Sequence, residues 1–186
     1  MGTRASVIVL LAVVTGCSGA HGNKAASSAK RTSLVGEWQR VVECMDRVNA
    51  LKKAGFPEFV LFAASELVPG AMNHPEKIAD PSHPCKGALR HRKHSHFFTA
   101  NGKFGSRDFN GKQVDDGTYK LVGDRTFILN GSVKFHYAIQ GDTAMFDPVI
   151  PAHCSSKECR QNAAYGVQVA QPGMKWTFAG SVPISK

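Results

Sequence analysis

The sequence predicts a mainly β protein whose strands form an antiparallel up-and-down barrel, with a short α-helical insertion between the first two strands. An alternating apolar run begins at Leu34, and the apolar period then lengthens to about three residues over 45–68. After Arg90 the chain consists of short alternating runs separated by turn dipeptides. Because a long meander exposes two edges unless it closes, a barrel is favoured over an open sheet.

Length and composition indicate one globular domain. The chain has 186 residues, of which 42% are hydrophobic and 20% charged, so it can bury a core and is not a disordered protein. Its longest apolar run, Val7 to Val14, is far shorter than the roughly 20 residues that span a bilayer as a helix. A membrane protein with several helices is therefore excluded.

The N-terminus has the pattern of an export signal over residues 1–16. Arg4 precedes the apolar run, and small residues follow it. The segment Val14-Thr15-Gly16-Cys17 resembles the lipobox of bacterial lipoproteins, and the resemblance implies cleavage after Gly16 and acylation of Cys17, for example with palmitate. The protein would then be exported and anchored to the cell membrane by lipid, facing outward. The alternative is a plain secretory signal.

Residues 17–32 are expected to be the lipidated cysteine and a flexible tether, since they contain no large apolar side chain. Lys24, Lys30 and Arg31 lie in this segment. Together with Arg4 they carry four of the positive charges, so residues 33–186 keep +5 of the net +9. Part of the basic excess would thus lie close to anionic head groups.

Four further cysteines, an even number in an exported chain, predict two disulfides. Three pairings are possible, and we expect Cys44 with Cys85 and Cys154 with Cys159. A four-cysteine metal site is the alternative, although only Cys154 and Cys159 approach the spacing of such sites.

The folded domain is expected over 33–180, with a C-terminal tail at 181–186. Leu34, Gly36, Trp38, Arg40 and Val42 share one face of the first strand. Two helical stretches then fill 45–68, and a loop rich in Pro, His and Lys follows over 69–90.

The rest of the chain predicts hairpins. Turn dipeptides occur at Asn101-Gly102, Asn110-Gly111, Gly123-Asp124, Asn130-Gly131 and Gly141-Asp142. The pattern gives about nine strands in all and no helix after residue 68. The clearest strand places Val133, Phe135, Tyr137 and Ile139 on one face, and another contains Tyr165, Val167 and Val169.

The start of the first strand, Gly36-Glu37-Trp38, followed by a meander of about 150 residues, resembles the lipocalin or calycin group. That group carries Gly-x-Trp in its first strand, and a basic residue near its last strand packs over the Trp. Lys175, beside Trp176, is the positional match. The resemblance implies a lipocalin-like barrel that can hold a small ligand.

The helical insertion suggests where a ligand would bind. Cys44 and Cys85 would hold the insertion at its two ends, with Phe59 and Phe62 over the barrel. We expect an apolar cavity lined by some of Trp38, Phe97, Tyr119, Phe135 and Tyr137. The alternative is that the helices plug the barrel end as part of its core.

A histidine cluster is a weaker candidate site. His94 and His96 would project from one face of a strand and could share Zn or Cu with His91 or His136. Arg92 and Lys93 oppose a cation there, so a solvated basic edge is the alternative. We expect no bound metal and no cofactor.

No catalytic motif occurs, neither Gly-x-Ser-x-Gly, Cys-x-x-Cys, His-Glu-x-x-His nor a phosphate loop. We expect non-catalytic binding of a small apolar ligand or envelope component, and no nucleic-acid partner. The alternative function is a structural or protein-interaction module with a filled barrel; the sequence identifies no protein partner.

Overall fold

A computed structural model describes residues 31–107 and 111–182. The predicted signal peptide 1–16, Cys17, nearly all of the tether and the last residues of the tail lie outside this described part. Within it, eight antiparallel strands close into a barrel in sequence order, which confirms the predicted fold class. They are β1 (Gly36–Val42), β2 (Arg92–Phe98), β3 (Lys103–Arg107), β4 (Gln113–Leu121), β5 (Thr126–Leu129), β6 (Val133–Gln140), β7 (Thr143–Pro148) and β8 (Trp176–Gly180).

The first strand closes the barrel because it pairs with β2 on one side and β8 on the other. Its inward face is the one that alternation predicts, since every second residue from Gly36 to Val42 is buried. In the register with β2, Trp38 lies opposite His96 and Arg40 lies opposite His94. This pairing brings aromatic and polar residues together on the inner face of the barrel.

The predicted turn dipeptides lie between consecutive strands. Asn101-Gly102 connects β2 to β3, Gly123-Asp124 connects β4 to β5, Asn130-Gly131 connects β5 to β6, and Gly141-Asp142 connects β6 to β7. The glycine of each dipeptide has a positive φ, which explains why glycine is needed there. Asn110 lies outside the described residues.

The insertion between β1 and β2 is helical, as predicted. It contains α1 (Cys44–Lys53), a 3₁₀ turn (Pro57–Phe59) and α2 (Val60–Ser65). A disulfide from Cys44 to Cys85 joins the start of α1 to the following loop, and Cys154 pairs with Cys159. The expected pairing is therefore confirmed. On the chain-entropy model the longer loop contributes about 4 kcal/mol and the shorter about 2 kcal/mol.

One predicted strand is wrong, because Tyr165, Val167 and Val169 lie in a third helix, α3 (Lys157–Ala170). Ser156 caps this helix by accepting a hydrogen bond from the Cys159 amide at 3.2 Å. The helix buries a stripe of residues at helical spacing against α1 and the 3₁₀ turn. This burial outweighs the tendency of the three alternating residues to form a strand. Ala163, Ala164 and Val167 form this stripe, whereas Ala170 packs in the aromatic core of the barrel. The expectation of no helix after residue 68 fails for the same reason.

The barrel interior is filled by aromatic side chains. Phe127 and Phe135 stack with ring centroids 4.9 Å apart, and Phe98 packs edge to face on Phe127 at 5.3 Å. The buried cluster also contains Trp38, Phe104, Tyr119, Tyr137, Phe146 and Trp176. In the described part of the chain, no helix is both long and apolar enough to cross a bilayer.

At the end of the barrel where β1 begins, Gly36 and Trp38 pack against one ring. The Trp38 and Phe178 rings meet edge to face at 5.3 Å, and the Arg31 guanidinium lies 3.3 Å from the centroid of Phe178. A Cβ on Gly36 would lie 2.3 Å from Phe178 Cε2. Phe178 is thus the described ring partner of Trp38, whereas Lys175 is exposed.

We predict that Gly36→Ala lowers the free energy of unfolding by about 1–3 kcal/mol more than Gly70→Ala, measured by urea unfolding. Both glycines have a positive φ, so both variants incur backbone strain. Only at Gly36 does the new methyl group meet a ring, because nothing lies within 4 Å of a Cβ on Gly70. Equal losses in the two variants would contradict the proposed packing of Phe178 on Gly36.

Candidate functional site

A cavity of about 450 Å³ lies where β1 ends and β2 begins, between the barrel and the three helices. We call it the mouth cavity. The helices contribute one side of its wall and β2, β3 and β4 the other. The wall consists of Arg47, Phe59, Phe62, Glu66, His94, His96, Ser106, Asp116, Gln161, Ala164, Tyr165, Gln168 and Val169.

Part of the wall is apolar. Phe59 and Phe62 come from the insertion, and Ala164 and Val169 come from α3. Phe62 is 42% exposed and Tyr165 is 37% exposed, so the cavity is reached from solvent beside these two rings. An open apolar recess of this size is suited to a small organic molecule.

The wall also carries charge. Arg47 on α1 is only 4% exposed, and its guanidinium forms an ion pair with the Glu66 carboxylate. Arg40, which lies opposite His94 in the register of β1 with β2, is not part of the wall, and its buried side chain pairs with Asp46 at 3.4 Å. Asp116 on β4 adds a second carboxylate to the wall. Since a buried guanidinium is costly without a partner, Glu66 fixes the position of Arg47.

His96 is held tightly at the inner end of the cavity. Its ring centroid lies 4.7 Å from that of Trp176 and 5.3 Å from that of Phe104. Nε2 lies 3.2 Å from the carbonyl oxygen of Val169, so Nε2 carries the proton and donates to this oxygen. Nδ1 is then an acceptor, and it is buried with no hydrogen-bond partner in the described part of the chain.

Two groups in the wall have shifted pKa values. Burial lowers the pKa of His96 well below its ordinary value, and the neighbouring His94 and Arg47 lower it further. Partial burial, with the carboxylates of Asp116 and Glu66, raises the pKa of Tyr165 to about 12. At neutral pH His96 is therefore a neutral imidazole and Tyr165 a neutral phenol.

The structure brings together only some of the residues predicted to bind a ligand. Phe59 and Phe62 line the mouth cavity. The other five lie elsewhere: Trp38, Tyr119, Phe135 and Tyr137 are packed in the barrel interior, and Phe97 is buried on the opposite face of β2 from Phe98. The space that an internal ligand would need is taken by the rings of the core itself.

Of the predicted histidines, only His94 and His96 meet, with ring centroids 4.7 Å apart. His91 instead pairs with Glu43 at 2.8 Å, and His136 lies beside Thr126 on the exposed face of β6. In residues 31–107 and 111–182, no three His, Cys, Asp or Glu side chains converge as a metal site. The alternative of a solvated basic edge does not fit His96 either, because this residue is only 4% exposed.

Sequence reasoning missed the charged part of the wall. Arg47 lies on the buried face of α1 with Cys44, Val48 and Leu51. A single charge within an apolar stripe was the available signal for a buried ion pair. Asp116 and Tyr165 offered no such signal, because their approach depends on the closure of the barrel and on α3.

Comparison of the chain with protein-family models, with curated proteins and with solved structures finds no match. The chemistry of the mouth cavity therefore rests on its own residues.

We predict that His96 makes the protein less stable as pH falls. The unfolded chain takes up a proton near pH 6.5, whereas folded His96 does so only at much lower pH. The free energy of unfolding should thus fall by up to about 1.4 kcal/mol per pH unit from this residue below pH 6.5. Urea unfolding at pH 7.5 and 5.5 measures the loss.

His96→Gln should reduce that loss, and the exposed His136→Gln is the matched control. The ion-paired His74, His83 and His91 are unchanged in both variants, so the difference between variants isolates His96. The same pH dependence in the His96→Gln and His136→Gln proteins would contradict the prediction.

Proposed function

We propose that the protein is an exported lipoprotein that binds a small ligand, without catalysis, in the mouth cavity of its lipocalin-like barrel. One observation carries the proposal: an open cavity of about 450 Å³ lies under the helices, while the barrel interior is filled. A ligand that the sequence placed inside the barrel is thus proposed at its mouth, between Phe59, Phe62 and the inner polar wall.

The walls of the cavity are held in place, which favours a binding role because a preformed site costs less ordering on binding. The Cys44–Cys85 disulfide fixes the insertion at its ends. Arg160 of α3 donates to Glu58 Oε1 at 2.6 Å and to the Gly55 carbonyl at 2.8 Å, which joins α3 to the insertion. The two helical sides of the cavity are therefore connected.

The second candidate is a structural or protein-interaction module, and the filled barrel favours it. In that case Phe62 and the neighbouring exposed side chains would contact a protein. The two functions differ in whether the isolated protein takes up a small molecule.

We predict that the neutral fluorescent probe N-phenyl-1-naphthylamine binds the full chain carrying Cys17→Ser, and that Phe62→Ala weakens binding about tenfold. The loss follows from removing a ring that lines the mouth cavity. Fluorescence titration measures the dissociation constants.

Leu121→Ala is the matched control, since Leu121 is also an exposed apolar side chain but lies at the other end of the barrel. It should leave probe binding unchanged. No binding at all, or equal losses in the two variants, would argue for the interaction module.

The proposed anchoring gives the cavity an orientation. Arg31, where the described chain begins, contacts Phe178 and Asp142 at the end of the barrel opposite the mouth cavity. A tether that runs from Cys17 to Arg31 would therefore meet the barrel at the end opposite the mouth cavity. The mouth cavity would face the aqueous compartment.

We predict that Cys17→Ser moves the protein from the membrane fraction to the soluble fraction and abolishes labelling with radioactive palmitate, because acyl chains supply the anchor. Ser18→Ala is the control and should keep both properties. Palmitate labelling that persists in the Cys17→Ser protein would exclude this cysteine as the acylated residue.

A further inference from the structure

Two side chains in the wall of the mouth cavity each have a nitrogen atom without a hydrogen-bond partner in the described part of the chain. The atoms are Nε of Arg47 and Nδ1 of His96. Both residues line the cavity, and each is only 4% exposed. A buried polar atom without a partner is unusual in a folded protein, because the atom has lost its hydrogen bonds to water and gained none. Two such atoms in one cavity wall point to a bound polar group.

The two nitrogens have opposite hydrogen-bonding roles. The Nε–H of the Arg47 guanidinium can only donate. Nδ1 of His96 accepts, since Nε2 carries the proton and donates to the Val169 carbonyl oxygen at 3.2 Å. Burial lowers the pKa of this imidazole, so Nδ1 remains an acceptor at neutral pH. A group that satisfies both nitrogens must accept one hydrogen bond and donate another.

Arg47 and His96 lie near each other, and both are held in place. The charge of Arg47 is close enough to lower the pKa of the His96 imidazole. Nη1 of Arg47 pairs with the Glu66 carboxylate. The ring of His96 packs on that of Trp176, with centroids 4.7 Å apart. Because both side chains already have these contacts, neither can turn freely to find another partner within the protein.

We propose that the mouth cavity binds a small uncharged molecule whose polar group both accepts and donates a hydrogen bond, as a hydroxyl or a primary carboxamide group does. The polar group accepts from Arg47 Nε and donates to His96 Nδ1, and the apolar body of the molecule lies against Phe59 and Phe62. This inference rests on the proposed binding function and adds the class of ligand.

A charged ligand satisfies only one of the two nitrogens. An ammonium group can donate to His96 Nδ1 but has no lone pair to accept from Arg47 Nε. A carboxylate can accept from Arg47, but it brings lone pairs against His96 Nδ1 and competes with Glu66. Since a buried polar atom left unpaired costs free energy, both kinds of ligand are disfavoured relative to a group that donates and accepts.

Four probes that share one ring system test the proposal. Two neutral probes, 2-(1-naphthyl)acetamide and 2-(1-naphthyl)ethanol, both accept and donate. The anion 1-naphthylacetate only accepts, and 2-(1-naphthyl)ethylamine in its ammonium form only donates. Isothermal titration calorimetry at pH 7.5 measures their dissociation constants with the full chain carrying Cys17→Ser. We expect the tighter neutral probe to bind about fivefold more tightly than either charged probe.

His96→Phe tests the acceptor, because it keeps an aromatic ring and removes Nδ1. It should reduce the ratio of neutral-probe to 1-naphthylacetate affinity about threefold, since only the neutral probe donates to this nitrogen. His136→Phe, which replaces a histidine on the exposed face of β6, is the matched control and should leave the ratio unchanged.

Arg47→Lys tests the donor, because it keeps the positive charge beside Glu66 and removes Nε–H. It should reduce the ratio of neutral-probe to amine affinity about threefold, since only the neutral probe accepts from this atom. Arg40→Lys is the matched control and should leave the ratio unchanged. Arg40 is also a buried guanidinium paired with a carboxylate, that of Asp46, but it is not part of the wall.

A charged probe that binds as tightly as both neutral probes would overturn this class of ligand and leave the binding function standing. A ratio that stays unaltered in either variant would overturn the pairing assigned to that nitrogen. If a variant unfolds, the order of the four probes in the protein with both residues intact still decides. Failure of all four probes to bind at millimolar concentration would overturn the binding function and the class of ligand with it.

Discussion

The filling of the barrel by aromatic rings is the constraint on which the rest of the structure depends. An eight-stranded barrel has an interior that either is filled by side chains or holds one small ligand. Here the rings take the space, and their polar atoms are satisfied internally: Trp38 donates to the Leu34 carbonyl at 2.8 Å and Trp176 to that of Ala170 at 3.1 Å. Any space for a ligand must therefore lie beyond this packing, at an end of the barrel.

The inner face changes from apolar to polar as it approaches the helices. His96 lies at this boundary, between the rings of Trp176 and Phe104 and next to His94. Beyond it, Arg40 and Arg47 are buried with carboxylate partners that are more exposed than they are. Buried charges of this kind add little to stability compared with apolar packing. Arg47 and Glu66 line the open cavity, and this position accords with the proposed binding role.

Local signals explain how much the sequence could predict. Alternation in β1 and β6 and the glycine turns specify the hairpins, because each depends on residues close together in the chain. The third helix was missed because Tyr165, Val167 and Val169 alternate over too short a stretch to separate a strand from a helix. The acceptors of the mouth cavity were missed because α1, α2, β2 and β4 meet only once the barrel has closed. Fold class thus followed from local patterns, whereas the site depends on long-range contacts.

The two ends of the barrel differ, and the difference bears on which kind of ligand a protein with the proposed lipid anchor would bind. Arg31 contacts Phe178 at the end of the barrel where β1 begins, and the mouth cavity lies at the end where β1 stops. Under the proposed anchoring at Cys17, a cavity that received lipid from the membrane would be expected near the tether and lined by apolar groups throughout. This one lies at the far end and has two carboxylates and a guanidinium in its wall. Under that proposal, position and chemistry favour a ligand that arrives dissolved in water and has polar groups as well as apolar ones.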